Sequence, residues 1–193
     1  MSEDRDAAAA CEFRRLFLLT RDRVLAYAIR RTARVEDAWE ALSETYLIAW
    51  QKVEDVPLDE SSIIWLYATC RRVLANSYRK QSRAAIPVAD IGNLADRQLI
   101  EWTWEGLELS LAAKELLSGL TEADREILML VAWEGLDCNS AAGVLGCSAV
   151  AARVRLHRAR NSLAREMRRS GLLPSVMPAS RPIEERNGRR HVN

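Results

Sequence analysis

A short stretch around residue 146 constrains the fold of this chain more than any other. Residues 146–160 read GCSAVAARVRLHRAR, in which Gly146 can adopt a positive φ and Ser148 can accept the first free N–H groups of a helix. Upstream, Asp137 can cap a short apolar helix in the same way. The order is therefore a capped helix, a glycine turn and a second capped helix, which is the pattern of a helix-turn-helix motif.

The second helix of this motif, predicted over residues 148–160, has two different faces. At 100° per residue, one side carries only apolar residues, namely Ala152, Leu156, Ala159 and Leu163. The remaining surface is cationic, because the seven arginines between residues 153 and 169 are opposed only by Glu166. A formal net charge of +1 for the chain hides this segregation. The local charge indicates nucleic-acid binding, and an amphipathic helix with a solvated arginine face is the alternative interpretation.

Apolar periodicity predicts three further helices, over residues 13–31, 35–53 and 63–83. The second has an acidic side, which is either an ordinary solvated surface or a docking face for a basic partner. The third contains no acidic residue, and its aromatic residues Trp65, Tyr67 and Tyr78 are interleaved with five cations. Cations beside aromatic rings suit single-stranded nucleic acid, although Trp65 and Tyr67 could instead be core residues.

Composition changes after residue 83. Residues 84–109 are acidic and punctuated by proline and glycine, which indicates a linker, and the roles of Trp102 and Trp104 within it stay open. A capping-box-like start at Thr121 and Asp124 then opens a helix that ends near Gly135. We predict an all-α protein of two small helical domains, residues 13–83 and 110–169, joined by the acidic linker, with the helix-turn-helix in the second. Residues 1–12 and 170–193 are expected to be disordered.

Several functional classes are disfavoured by what the sequence lacks. There is no glycine-rich phosphate loop, no nucleophile motif and no cluster with metal-ligand spacing, so an enzyme is the least expected class, and neither a cofactor nor a metal is expected. The four cysteines are scattered and are expected to be small buried apolar side chains in a reducing compartment. Neither a basic apolar signal nor a membrane span is recognisable, so we expect a cytoplasmic, nucleoid-associated protein.

Three segments in this order resemble the extracytoplasmic-function (ECF) sigma factors of bacterial RNA polymerase. They are EDAWEALSETYLIAW at residues 36–50, WLYATCRRVLANSYRK at 65–80, and the segment from LTEADREILML through WEGLDCNSAAGVLGCS to RLHRAR, which ends at residue 160. The resemblance implies a protein that binds core RNA polymerase, recognises the minus-thirty-five and minus-ten promoter elements and promotes DNA melting, without catalysing a reaction itself.

The resemblance also implies site residues. The polymerase clamp would bind the acidic face of the second helix, at Glu36, Asp37, Glu40, Ser43 and Glu44. The melted minus-ten strand would lie on the third helix, at Arg71, Arg72, Asn76, Arg79 and Lys80. The minus-thirty-five duplex would contact Ser148, Ala149, Ala151, Arg153, Val154, Arg155, His157 and Arg158. The linker would pass through the polymerase RNA channel, and an anti-sigma factor is a further partner that many relatives have.

The chain departs from the family pattern at several of these positions. Ala149 and Ala151 stand where the family usually has Glu and Thr, so base discrimination would fall on Arg153 and Arg155, on apolar contact with thymine methyl groups, and on duplex shape. Two other functions stay open. One is a conventional helix-turn-helix regulator that binds duplex DNA as a dimer, and the other is an adaptor that has lost promoter recognition.

Overall fold

The computed structural model describes residues 2–57, 59–83 and 116–171. These residues form helices α1 (Ser2–Ile29), α2 (Val35–Gln51), α3 (Ser62–Arg83), α4 (Glu122–Ala132), α5 (Cys138–Leu145) and α6 (Ala149–Arg169), with a 3₁₀ turn at Val53–Asp55. No strand occurs in the described ranges, so the all-α prediction is confirmed there. The predicted linker with Trp102 and Trp104, and nearly all of the predicted tail, lie outside them.

Helices α1, α2 and α3 pack together around large apolar side chains. Val24, Tyr27, Ala28, Leu66 and Cys70 are fully or almost fully buried there. Tyr27 stacks on Tyr67 at a ring separation of 4.7 Å, which makes Tyr67 a core residue rather than a nucleic-acid contact. Trp65 is partly buried against the same core. Of the three aromatic residues noted in α3, only Tyr78 is exposed, because its position lies outside the apolar stripe.

The N-terminal end of α1 differs from the expectation drawn from the sequence. Residues 2–12, expected to be disordered, continue α1 toward the N-terminus, where four successive alanines follow acidic residues that favour the positive end of the helix dipole. Trp50 of α2 is 44% exposed and meets the Phe13 ring edge to face, at a ring separation of 5.1 Å.

The cysteines also differ from expectation. Only Cys70 is fully buried, and burial raises the pKa of its thiol to about 11. Cys11 is exposed, whereas Cys138 and Cys147 are half-buried. The thiols do not all act as core side chains, since Cys11 lies on the outer side of α1.

Helices α4, α5 and α6 form the second packing unit of the described residues. Its core contains Leu120, Ile127, Leu128, Ala152 and Leu156. The C-terminal helices also touch the N-terminal ones, because α5 lies against α3. Leu130, Leu136, Ala141 and Val144 belong to the same apolar cluster as the core of α1–α3.

Candidate nucleic-acid interface

The turn between α5 and α6 forms as its residue types predict. Asp137 accepts a hydrogen bond from the Ser140 N–H at 2.7 Å, which caps α5, and Gly146 ends that helix with φ 65°. Ser148 then caps α6 by accepting from the Ala151 N–H at 3.1 Å. These two caps and the left-handed glycine fix the direction in which α6 leaves α5.

Helix α6 buries a narrow stripe of small side chains. Ala152 and Ala159 are inaccessible and Leu156 is nearly so, as the apolar periodicity predicts. Arg153, Val154 and His157 point outward, and Arg155 is half-buried on the flank. Because alanines bring α6 close to its neighbours, most of its circumference remains free, and a cylinder about 10–12 Å wide fits a major groove about 12 Å wide.

Arg158, predicted to contact DNA, makes an ion pair within the C-terminal helices. Its Nε and Nη2 atoms donate to Oδ1 of Asp124 at 3.1 and 2.8 Å. Asp124 is almost completely buried at the start of α4, while the Arg158 side chain remains 60% exposed. The pair ties α6 to α4, so Arg158 has a positioning role in addition to any contact with phosphate.

The predicted minus-ten residues form a separate basic face on α3. Arg72, Asn76, Arg79 and Lys80 are exposed, and Arg71 is half-buried. Arg79 Nη2 donates to Oδ1 of Asn76 at 3.1 Å, so these two side chains are held together one helical turn apart.

A groove of about 260 Å³ separates this basic face from the acidic side of α2. Its walls bring predicted residues of both kinds together, since Asp37, Glu40 and Glu44 line one side and Lys80 the other. Tyr78 lies in the same groove and donates a hydrogen bond to the Arg31 carbonyl. Burial raises the pKa of Tyr78, and the nearby carboxylates of Asp37 and Glu122 raise it further, so the phenol keeps its proton at neutral pH. Glu36 and Ser43, the other two acidic-face residues, are exposed outside this groove.

Two further residues belong to these surfaces although the sequence analysis did not include them. Val150 is 66% exposed and lies one turn before Val154, which is 64% exposed, so the two valines form an outward apolar pair on α6. Asn139 of α5 accepts a hydrogen bond from Arg153 Nη2 at 3.4 Å. The i, i+4 spacing of the valines is readable from the sequence, whereas the Asn139 contact depends on how α5 and α6 cross.

The described residues include no group of three or more His, Cys, Asp and Glu side chains arranged to hold a metal ion. None of the described helices is long and apolar enough to cross a membrane.

Part of the chain matches a known protein family, and most of the chain is similar to known sigma factors. Residues 110–163 match the family "Sigma-70, region 4". The chain is 30% identical over 169 residues to the probable RNA polymerase sigma factor RfaY of Xanthomonas campestris pv. campestris, a match that covers 83% of the chain and 42% of RfaY. It is 26% identical over 139 residues to the ECF RNA polymerase sigma factor EcfG of Rhodopseudomonas palustris, covering 72% of the chain and 75% of EcfG. The chain thus spans less than half the length of RfaY.

A solved structure shares the fold. The sigma factor RpoE of Bartonella quintana, crystallised with the anti-sigma factor NepR, superposes with a TM-score of 0.61 at 23% identity, over 81% of this chain and 96% of RpoE. The region-4 match lies on the helix-turn-helix, and the two relatives extend the similarity over most of the chain. The chain is therefore similar over most of its length to sigma factors of bacterial RNA polymerase, including one of the ECF type, and its helix-turn-helix unit matches region 4 of the sigma-70 family.

Proposed function

We propose that this protein binds core RNA polymerase, recognises the minus-thirty-five and minus-ten elements of a promoter, and promotes melting of the DNA. The observation that carries the proposal is the presence, in one chain, of two basic helices with different surroundings. Helix α6 projects from a helix-turn-helix, whereas α3 presents one exposed basic side with an exposed tyrosine. The first suits a duplex and the second a single strand.

On α6, base recognition would depend on Arg153 and Arg155, which can each bond to guanine through two atoms. The outward pair Val150 and Val154 would contact thymine methyl groups. Ser148, Ala149 and Ala151 lie in the first turn, where the helix N-terminus favours a phosphate, and His157 would touch phosphate farther along. Arg158, held by Asp124, would fix the angle of the helix in the groove.

On α3, the exposed cations would hold the phosphates of the separated strand, with Arg71 and Arg72 toward the middle of the helix and Arg79 and Lys80 toward its end. Asn76 would offer an amide to a base edge, and Tyr78 a ring for stacking. Such a face binds an unpaired strand better than a duplex, so it stabilises melted DNA by differential affinity without covalent chemistry.

The acidic side of α2 would dock the polymerase clamp. Glu36, Glu40 and Ser43 are exposed on it, and Leu47 adds an apolar surface that is 55% exposed one turn later. The segment 84–109 would follow the RNA channel. An anti-sigma factor is a further candidate partner, because the RpoE structure with the same fold was solved with one bound. A protein of this function would act at the bacterial nucleoid.

Attachment to polymerase is needed on energetic grounds. If about four arginines neutralise phosphates, affinity falls by a factor of roughly 150 between 50 and 200 mM salt. A module with so few contacts binds weakly alone, and joining both DNA contacts to one polymerase raises their effective concentration.

The test is to mix the protein with bacterial core RNA polymerase and a promoter fragment whose minus-ten region is premelted. We expect a stable DNA complex only when both proteins are present. Binding of the protein alone to intact duplex, unchanged by core enzyme, would instead support a conventional helix-turn-helix regulator.

A further inference from the structure

Two outward arginines of α6 are each held by a side chain from another helix of the same unit. Arg153 Nη2 donates to Oδ1 of Asn139, in α5, at 3.4 Å. Arg158 donates from Nε and Nη2 to Oδ1 of Asp124, in α4, at 3.1 and 2.8 Å. One support is a neutral amide and the other is a carboxylate, so the charge of Arg158 is opposed and that of Arg153 is not.

The support of Arg158 is costly to break. Asp124 is 4% exposed at the start of α4, where its N–H donates to Thr121 Oγ1 at 3.2 Å. If Arg158 turned toward a base, the Asp124 carboxylate would stay buried without its cation, which is unfavourable. The pair also occupies Nε and Nη2, which form one edge of the planar fork with which an arginine bonds to guanine. Arg158 is therefore unsuited to base recognition.

The support of Arg153 directs the side chain without neutralising it. Asn139 is exposed in the first turn of α5, and the start of that helix is fixed by Asp137, whose carboxylate accepts from the Ser140 N–H at 2.7 Å. An amide oxygen accepts a hydrogen bond but carries no charge. Because both side chains are exposed, water can replace this bond at small cost when Arg153 moves onto a base.

The two arginines also lie at different places on α6. Arg153 is the fifth residue and Arg158 the tenth of this helix, Ala149–Arg169. This spacing puts them about 140° apart around the axis and about 7.5 Å apart along it. In helix-turn-helix proteins, residues toward the N-terminus of the second helix contact base edges. Arg153 lies toward that end on the α5 side, whereas Arg158 lies farther along on the α4 side.

We propose that Asn139 is the positioning residue through which Arg153 discriminates bases, and that Arg158, paired with Asp124, takes no part in base discrimination. This inference rests on the proposed function, because it concerns recognition of the minus-thirty-five duplex. Holding the guanidinium near its bound direction lowers the conformational cost of binding. A single hydrogen bond of this kind shifts side-chain populations by roughly two- to tenfold, which sets the size of the expected effect.

The first experiment measures base preference at each position of the duplex. Variants of the full chain form complexes with bacterial core RNA polymerase and a pool of promoter fragments that have a premelted minus-ten region and a randomised minus-thirty-five element. Sequencing of the bound fragments gives the preference at each base pair. Arg153→Ala identifies the base pairs at which Arg153 discriminates, and Asn139→Ala should lower the preference at those base pairs about threefold.

The double variant separates positioning from a general loss of structure. Adding Asn139→Ala to Arg153→Ala should change nothing further, because the amide acts only through the arginine. Asn161→Ala is the matched control, since Asn161 is an exposed amide of α6 whose Nδ2 lies 3.3 Å from His157 Nδ1, and it should leave the preference at those base pairs unchanged. A wild-type preference in the Asn139 variant, or a loss that persists without Arg153, would overturn the proposal.

The same pool tests the role of Arg158. Arg158→Ala should reduce the amount of complex and leave the preference at every base pair as in the wild type. A preference lost at any base pair in this variant would contradict the proposal. Enrichment by the wild type combined with unchanged preferences in Arg153→Ala would overturn the proposal alone. If the wild-type chain enriches no minus-thirty-five sequence in the presence of polymerase, the proposed function fails and the proposal fails with it.

The second experiment tests whether the support must be neutral. Asn139→Asp would hold the guanidinium with a carboxylate and oppose its charge, as Asp124 does for Arg158. Thermal stability should not fall, because an acidic residue in the first turn of α5 interacts favourably with the helix dipole. Complex formation with core polymerase and the preferred promoter fragment should fall at least about fivefold, the lower limit of what one arginine–guanine pair contributes. Complex formation equal to that of the wild type would overturn the proposal.

Discussion

Helices α3 and α6 both carry cations on their exposed sides, but they are anchored differently. Helix α3 buries large residues along most of its length, including Leu66, Tyr67 and Leu74, whereas α6 buries two alanines and Leu156. Large buried side chains make α3 part of the core and leave one side free. Small ones leave α6 projecting. The comparison shows that exposed charge alone does not indicate how a helix presents its cations, whereas the size of the side chains that the helix buries does.

The largest expected effect tests α3 as a core helix. Leu66→Ala should lower the free energy of unfolding by about 3 kcal/mol, because Leu66 is completely buried and its removal leaves a cavity. Urea unfolding followed by circular dichroism measures the change. Leu47→Ala, at a 55% exposed position of α2, is the control and should cost under about 0.5 kcal/mol. Equal effects would mean that α3 is not the central packing helix.

The next effect separates the two DNA surfaces. Arg155→Ala should reduce selectivity for the minus-thirty-five duplex by about 1–3 kcal/mol, with docking to polymerase unchanged. Competition binding of matched and mismatched duplexes in the presence of core enzyme measures this. Arg79→Ala should show the reverse pattern, with weaker binding to a premelted strand and unchanged duplex selectivity. Loss of polymerase docking in the Arg155 variant would contradict the division of roles between α3 and α6.

A smaller loss of stability is expected when the N-terminal cap of α6 is removed. Ser148→Ala should destabilise the C-terminal helices by about 1 kcal/mol, because the hydrogen bond to the Ala151 N–H is lost. Ser148→Asn keeps an acceptor at the cap and should retain stability in the same thermal unfolding measurement. If alanine and asparagine variants unfold alike, the cap does not define the start of the helix.

The smallest effect tests the outward valines. Replacing thymine by uracil within the minus-thirty-five element should weaken binding by about 0.8 kcal/mol for each methyl group that Val150 or Val154 contacts. Equilibrium binding to duplexes with single substitutions locates the positions. The variant Val154→Ala should bind more weakly and lose its sensitivity to the uracil replacement at one position. A wild-type protein indifferent to every uracil substitution would leave base recognition to the arginines alone.

Local features of the interface were predictable from sequence. The caps at Asp137 and Ser148 and the left-handed Gly146 depend on residues within a few positions of one another, and all three are confirmed. The apolar stripe of α6 follows from periodicity in the same way. The positions of the aromatic side chains of α3 could not be predicted from the sequence, because periodicity does not show whether a residue such as Tyr67 packs inward or stacks on a base. The assignments of DNA-binding and polymerase-binding residues remain predictions.

The sequence by itself determined where helices start and turn and which side of α6 is apolar, because those properties arise from short-range hydrogen bonds and helical geometry. Only the tertiary structure decided that Arg158 pairs with Asp124 and that Arg30 and Arg31 meet Glu126 and Glu134. The Arg31–Glu134 pair spans 103 positions of the chain. No periodic pattern encodes contacts of that separation, since they depend on how independently formed helices pack.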